Sequence, residues 1–313
     1  MAYTSDDLIS AVRMRCQLPS ATNDGKFTDA NILELAYEEF LTNVLPEIRK
    51  ARGNYYVASQ DYTVTSGTSS FRIPSRAQGA SLRDVTFINS DGTGFSLPEI
   101  PLEDVDYYNT SGSTWWSTAF CYCIEGNNVL IRPEPTQQGT LRLRYYDRPG
   151  RLVVNSAAMQ ITGITPFGPV TVLAGNVPAA WLNENKFDII SGSPTFDDLN
   201  DGITSTGVTI GVGGSLIVSA SDLSADVKLG DWVSLETESA VVQLTVELQP
   251  ALISATCVRI LEALGDLGAV QTAQALLMRQ MQQAVAHIQP RNDGEQPRII
   301  NRRGPLRFSR RWQ

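Results

Sequence analysis

The sequence predicts an α+β fold with a helical bundle built from both chain ends, antiparallel β regions between them and an extended C-terminal arm. Apolar residues recur at helical spacing near both ends and alternate with polar residues between the ends, and a strongly basic segment follows Pro290. The predicted boundaries are 1–54 with 246–289 for the bundle, 55–150 for a first β unit, 151–245 for an inserted β domain and 290–313 for the arm.

Two helical patterns open the chain. Ser5, followed by Asp6 and Asp7, predicts a helix start because a hydroxyl and two carboxylates suit the positive end of the helix dipole. Thr28 and Asp29 predict the start of a longer helix, in which Pro46 predicts a break or kink. The apolar stripes are Leu8, Val12 and Cys16, then Ile32, Leu35, Ala36, Phe40, Val44 and Ile48. Short helices are marginal alone, so these should pack on the C-terminal helices.

Alternating patterns then predict a compact antiparallel β unit. The predicted strands occupy 61–65, 70–73, 82–89, 119–125, 129–132 and 140–146. The first two, joined by the sequence Ser-Gly-Thr-Ser, are predicted to form a hairpin. A short helix is expected after Pro101, running through Leu102, Val105 and Tyr108.

A second β region is predicted between residues 152 and 235, which are rich in Val, Ile, Thr and Gly and show no helical period. Its glycines and prolines mark turns between short strands. We expect a β-sandwich or small barrel, inserted after the first β unit.

The last regular elements are two predicted helices. Ile253, Cys257, Ile260 and Leu264 recur at helical spacing, and Pro250 suits the first turn. After residues 265–268, a second stripe is formed by Ala273, Leu277, Met281, Ala284 and Ile288. The short connection predicts an antiparallel pair.

The segment after this pair carries an unusual charge. Residues 290–313 contain seven arginines, two acidic residues and no lysine, a net charge of +5. Because the whole chain carries −8, residues 1–289 carry −13. The arm therefore extends from an acidic body.

Three interpretations of the arm remain open at this point: a loose terminus without function, a nucleic-acid-binding arm, or a docking arm. Ordering the arm costs roughly 1–2 kcal/mol per residue, which five apolar residues cannot offset without a partner surface. Apolar residues interleaved with arginines favour docking, with the anchors Ile299, Ile300, Leu306, Phe308 and Trp312.

Composition excludes some classes of protein. No apolar run approaches the roughly 20 residues that span a bilayer, and the polar, acidic N-terminus does not resemble a signal peptide, so we expect a cytosolic product without a membrane partner. Cys16, Cys121, Cys123 and Cys257 are expected to be free thiols rather than zinc ligands, since the sole histidine, His287, is distant in sequence. We expect no metal, no cofactor and no catalytic residue.

Several stretches could carry chemistry but have simpler interpretations. Residues 207–215 have the glycine density of a phosphate loop but lack its Gly-Lys-Ser/Thr ending, which favours a β turn. His287 near a helix end is favourable to the dipole. Asp197, Asp198 and Asp201, near Phe196 and Trp181, could form a sugar or calcium site, although acidic turns are commoner. Trp115 and Trp116, beside Tyr107 and Tyr108, could stack on carbohydrate or fill a subunit contact.

The chain resembles the head-to-tail adaptor proteins of tailed bacteriophages, also called head-completion or neck proteins. The resemblance is carried by PEIRKARG at 46–53, CIEGNNVLIRPEPTQQGTLRLRYYDRPG at 123–150, VQLTVELQPALISATCVRILEALGD at 242–266 and PRIINRRGPLR at 297–307, in that order. It covers most of the chain, and the region 152–235 is longer than in the simplest members.

The resemblance implies a structural virion protein, made in the host cytoplasm and located in the neck between portal and tail. Its implied partners are the portal protein, a tail or nozzle protein, and further copies of itself in a ring of typically twelve. Viral DNA would pass through the ring without specific binding. The implied portal-binding residues lie in the arm: Arg298, Ile299, Ile300, Arg302, Arg303, Leu306, Arg307, Phe308 and Trp312.

Two other functions remain alternatives. A carbohydrate-binding or glycoside-cleaving virion protein would use the second β region and respond to sugars. A DNA-binding protein would lose affinity steeply with salt and upon removal of the arm.

Overall fold

The computed structural model describes residues 3–19, 27–105, 120–136, 138–192 and 198–288. It has an α+β architecture in which several antiparallel sheets lie between helices near the two ends. The helices are α1 (Ser5–Cys16), α2 (Asp29–Glu39), α3 (Leu45–Ala51), α4 (Gln249–Leu264) and α5 (Leu267–Ile288). The strands are β1 (Val57–Val64), β2 (Ser70–Arg72), β3 (Ala77–Asn89), β4 (Gly94–Ser96), β5 (Cys121–Glu125), β6 (Asn128–Arg132), β7 (Gly139–Asp147), β8 (Arg151–Leu152), β9 (Met159–Gln160), β10 (Gly163–Phe167), β11 (Val170–Val177), β12 (Lys186–Ile190), β13 (Asp198–Thr209), β14 (Gly211–Ser219), β15 (Trp232–Leu235) and β16 (Glu238–Ser239).

The N-terminal helices begin close to their predicted starts. Thr4, one residue before the predicted Ser5, is the N-cap of α1 and forms a reciprocal capping box with Asp7. Ser5 is instead buried and donates from its hydroxyl to the Val153 carbonyl. Thr28 caps α2, as predicted, by accepting a hydrogen bond from the Asn31 backbone N–H.

The predicted break at Pro46 takes the form of a π-helical turn. Residues Phe40–Val44 form this turn, and the Leu45 N–H bonds to the Phe40 carbonyl. Pro46 then occupies the first turn of α3. A proline inside a continuous α-helix lacks an N–H and collides with the carbonyl four residues earlier, so the wider turn relieves the conflict.

Helices from the two ends of the chain contribute to one hydrophobic cluster. α1 and α2 pack on α4, and α3 packs on α5. Their apolar stripes meet, with Leu8, Ile32, Phe40, Leu252 and Ile260 among the fully buried members. α4 ends at Gly265, whose left-handed backbone has φ 78°. The return of α5 brings Gln280 beside Ser254, whose hydroxyl donates to the Gln280 side-chain oxygen at 2.6 Å.

The first β region contains two sheets packed around a second cluster. The four-stranded sheet has the order β1-β7-β3-β4, and the three-stranded sheet has the order β2-β6-β5. Apolar side chains from both sheets fill the cluster, including Val64, Phe87, Val129, Ile131 and Leu141. The three strands predicted between 119 and 146 are present, although the third lies in a different sheet from the first two.

The predicted hairpin at 61–73 is wrong. β1 pairs with β7 along its whole length, and β2 pairs with β6, so the connection between β1 and β2 crosses from one sheet to the other. The Gly67 N–H bonds to the Pro135 carbonyl on this path. Both sheets bury apolar side chains in the same cluster. This burial determines the strand pairing more strongly than the predicted turn between the two strands does.

The short helix predicted after Pro101 is reduced within the described residues to a 3₁₀ turn at Leu102–Asp104. Residues 106–119, which include Tyr108 and the Trp115–Trp116 pair, lie outside the described residues.

The second β region is a single curved antiparallel sheet rather than a two-sheet sandwich. Its order is β10-β11-β14-β13-β12-β15-β9. The sheet curves into a half-barrel, and β9, which lies at one edge, contacts β11. Gly175 permits this approach, since a Cβ there would lie 2.5 Å from the Gln160 carbonyl oxygen.

The entry and exit of this region lie side by side. β8 leads in and β16 leads out, and the two pair in parallel, with Glu238 opposite Arg151 and Ser239 opposite Leu152. The chain then reaches α4 through buried Val241, Val242 and Leu244. None of the helices among the described residues is long and apolar enough to cross a membrane.

Candidate functional site

The nine portal-binding residues predicted from the sequence, from Arg298 to Trp312, lie outside the described residues. The structure does describe the helix that precedes them. α5 ends at Ile288, which packs against the helical cluster together with Leu277 and the buried Ala284. The arm therefore starts from a helix end that is held by the core.

α5 has an exposed face with almost no charge. Its 22 residues include one arginine, Arg279, one histidine and no acidic residue. Only Val270 and Ala284 of this helix are buried, while Leu267 and Met278 are 77% and 68% exposed. At 1.5 Å per residue the helix is about 33 Å long. Solvent-facing helices are normally rich in charged residues, so this face suits contact with another protein.

Leu267 and Met278 lie on the same side of α5. They are eleven residues apart, which is close to three turns of an α-helix. Gln271, Gln274 and Gln282 lie on the same side of the helix, within about 60° of Leu267. This side combines apolar side chains with uncharged hydrogen-bonding groups, a composition that suits a buried contact.

A buried charge cluster joins the first β region to the curved sheet. Arg76, which precedes β3, is 6% exposed. Its guanidinium group meets Asp147 at the end of β7, Asp188 on β12, and Asp198 and Asp201 on β13. The Nη1–Oδ2 distance to Asp188 and the Nη2–Oδ2 distance to Asp198 are both 3.2 Å.

Backbone and amide groups complete the cluster. The Gly202 N–H donates to Asp188 Oδ1 at 2.7 Å, and the Thr237 N–H donates to Asp188 Oδ2 at 2.6 Å. Buried Gln243 donates to Asp198 Oδ1 at 2.7 Å and accepts from the Gly150 N–H at 2.8 Å. Several chain segments are thus fixed around one cation.

Burial controls the protonation of this cluster. It raises the pKa of Asp188 to about 6, against the opposing attraction of Arg76 and the two backbone N–H groups. Burial likewise raises the pKa of Asp147 and, more strongly, that of Asp198. For Arg76, burial acts to lower the pKa, but the four carboxylates outweigh it and the pKa is raised.

The raised pKa values predict that the cluster stabilises the fold best in mild acid. For Asp188, the folded-state pKa lies above the unfolded value, so between about pH 4 and pH 6 the native state binds more protons than the unfolded state. The contribution of Asp188 to the free energy of unfolding should therefore fall as pH rises through this window. Asp198→Asn mimics the protonated carboxyl. In this variant the free energy of unfolding, measured with urea, should depend less on pH than in the wild-type chain.

Asp61→Asn provides the matched control for the pH profile. The pKa of Asp61 is lowered by its hydrogen bond with Arg142 on the sheet surface. Its contribution is present above the unfolded pKa and is lost as pH falls, which is the opposite sign. If the free energy of unfolding of Asp198→Asn depends on pH as steeply as that of the wild-type chain, the cluster is not the source of the pH dependence.

The residues proposed for carbohydrate or calcium binding have other roles where they are described. Trp181 is 1% exposed and packs at a tilt against Phe187 in the core of the curved sheet, so its ring is not available to a sugar. Asp198 and Asp201 are paired with Arg76. Phe196 and Asp197 lie outside the described residues. Within the described residues, no group of three or more His, Cys, Asp or Glu side chains could hold a metal ion.

The remaining candidates also have structural explanations. Residues 207–215 belong to the hairpin of β13 and β14, as the sequence predicted. Gly211 and Gly213 there have φ of 99° and 74°. His287 lies in the last turn of α5. All four cysteines are free, and Cys121 and Cys123 are buried on β5.

Sequence reasoning missed Arg76 and Asp188. Arg76 follows Pro74 and Ser75 in what reads as an ordinary turn, and Asp188 stands alone in an apolar strand. The isolated acidic residue in the run Phe187–Ile190 was the one available signal, because a carboxylate buried in a strand needs a partner.

The class of protein is shown by the family that the chain matches. The long, nearly uncharged exposed face of α5 has the composition of a surface that contacts another protein. Residues 3–183 match the family model described as SU10 adaptor protein, and the chain belongs to this family. Among curated proteins, the comparison found no match.

Family membership confirms the resemblance to phage head-to-tail adaptors. The chain is accordingly a structural adaptor and a virion component that interacts with other virion components. The match ends at residue 183, so three of the four carboxylates around Arg76 lie beyond it.

Proposed function

We propose that the protein forms a ring that joins the portal to the tail of a tailed phage and lines part of the DNA channel. The observation that carries the proposal is the exposed, nearly uncharged face of α5 in a member of an adaptor family. A ring of about twelve copies would cover this face by lateral contact between neighbouring subunits. The protein acts in this role without catalysis.

The helices at the two chain ends form the bundle of each subunit in this proposal. Bundles stand side by side around the channel, and the two β regions, 55–150 and 151–245, face the tail or nozzle protein. Residues 1–289 carry −13, so the channel wall repels the phosphate backbone and DNA passes without specific binding.

The arm, residues 290–313, docks onto the portal in this proposal. Ile299, Ile300, Leu306, Phe308 and Trp312 are the anchors, and Arg298, Arg302, Arg303 and Arg307 lie at the rim of the contact. Exposed ion pairs contribute only about 0–1 kcal/mol each, so the apolar anchors supply most of the affinity. Ring symmetry multiplies weak single contacts through effective concentration.

Native mass spectrometry with and without the portal protein tests the proposal. The full-length chain should form a complex of about a dozen copies when the portal is present. Deleting residues 290–313 should abolish attachment to the portal while circular dichroism and melting temperature remain unchanged. A deletion that unfolds the helices, or a chain that ignores the portal, contradicts the proposal.

Two arm variants separate docking from nucleic-acid binding. Replacing the five anchors by serine retains the +5 charge, and replacing the seven arginines by glutamine retains the anchors. Docking predicts that the anchor variant loses most portal binding and the charge variant loses less. The reverse order, together with DNA affinity that falls steeply with salt, would support a DNA-binding arm instead.

A further inference from the structure

A cavity lies among α1, α4 and α5, with a volume of about 620 Å³. Two thiols line it, from Cys16 at the end of α1 and Cys257 in the middle of α4. Arg15, Ser254 and Asp266 supply its polar groups. Cys16 is partly exposed, whereas Cys257 is buried.

The fold holds these thiols together although about 240 residues separate them in sequence. Cys257 is buried in the helical cluster, and Cys16 packs against that cluster where α1 contacts α4. Both side chains line the same cavity. Arg15 is fixed beside them, since its Nη1 donates to the Ser254 hydroxyl at 2.6 Å.

We propose that Cys16 and Cys257 form an oxidant-responsive dithiol that closes to a disulfide between α1 and α4 when a small organic disulfide enters the cavity. The Cys16 thiolate attacks one sulfur of the organic disulfide and releases one thiolate. Cys257 then gives its proton to solvent and attacks the Cys16 sulfur, which releases the second thiolate. One protein dithiol is oxidised, and one organic disulfide is reduced to two thiols.

The electrostatics favour Cys16 as the attacking thiol. Its pKa is lowered mainly by the hydrogen bond with Cys257 and further by Arg15, while burial opposes this. The pKa of Cys257 is raised by the same hydrogen bond and by burial, so it reacts second. Burial raises the pKa of Cys121 and Cys123, which makes these two thiols an internal control.

The disulfide would tie the first helix to the helical pair that precedes the arm. A crosslink that closes so long a loop restricts the unfolded chain strongly. Oxidation therefore strengthens the part of the subunit that carries the exposed face of α5. A virion is exposed to such oxidation when it is released from a reducing cytosol into an oxidising medium.

Oxidised glutathione added to the purified full-length chain tests the proposal. Peptide mapping under non-reducing conditions should find Cys16 linked to Cys257 as the dominant disulfide, with Cys121 and Cys123 still open to alkylation after unfolding. The melting temperature should rise by about 5 °C and return when dithiothreitol is added. Cys16→Ser and Cys257→Ala should each abolish both changes.

Two results would overturn the inference. One is a glutathione adduct that persists on Cys16 while Cys257 remains a free thiol, which would show that the sulfurs do not reach each other. The other is both thiols remaining reduced at glutathione concentrations that modify Cys121 or Cys123.

Discussion

Replacing Arg76 by Met is expected to lower the free energy of unfolding by about 3–5 kcal/mol near neutral pH. The substitution retains an unbranched side chain but removes the one cation that Asp147, Asp188, Asp198 and Asp201 share. Carboxylates left buried without a partner are costly, and each must then take up a proton or move into solvent. Urea unfolding, monitored by tryptophan fluorescence, measures the loss.

The loss should shrink in mild acid, because protonated carboxyls need no cation. Arg142→Met is the matched control, since Arg142 makes a bidentate pair with Asp61 on the sheet surface. An exposed pair of this kind contributes about 0–1 kcal/mol. Equal losses in the two variants would mean that the Arg76 cluster is no more than another surface ion pair.

Replacing Leu267 and Met278 together by Glu is expected to abolish ring formation while leaving the monomer folded. Both side chains are exposed on one side of α5, and Glu has nearly the helix propensity of Leu and Met. The two new carboxylates would be buried uncompensated between neighbouring subunits, which costs several kcal/mol at every contact of the ring. Mass photometry with the portal protein should then find monomers.

Leu229→Glu controls for added charge on an exposed leucine. Leu229 is 65% exposed and lies in the turn before β15. Its variant should assemble like the wild-type chain. Rings formed equally well by the α5 double variant would exclude this face from the subunit contact.

Local patterns predicted most helices and strands close to where they lie. Leu277, Ala284 and Ile288 of the predicted α5 stripe face the core as expected, because residues three and four apart share one side of a helix. Pro46 indicated the break that the π-helical turn supplies. These features depend on a few neighbouring residues, so the sequence alone determines them.

Which strands lie next to each other was harder to predict than where each strand begins and ends. β1 and β2 follow each other across a four-residue turn signal, yet they belong to facing sheets. Likewise, the half-barrel depends on the close approach that Gly175 permits between β11 and β9, which are distant in order within the sheet. A period of alternation predicts that a strand has a buried face, but it does not say which strand lies beside it.

The sequence by itself determined the helical and β periods, the acidic body, the basic arm and the adaptor family. Each of these depends only on composition or on the order of residues along the chain. Only the tertiary structure decided that Arg76 would meet four aspartates and that Cys16 would lie beside Cys257. Those contacts join residues separated by up to about 240 positions. Charged groups are buried favourably only where the whole fold supplies their partners, and the two thiols meet because α1 packs on α4.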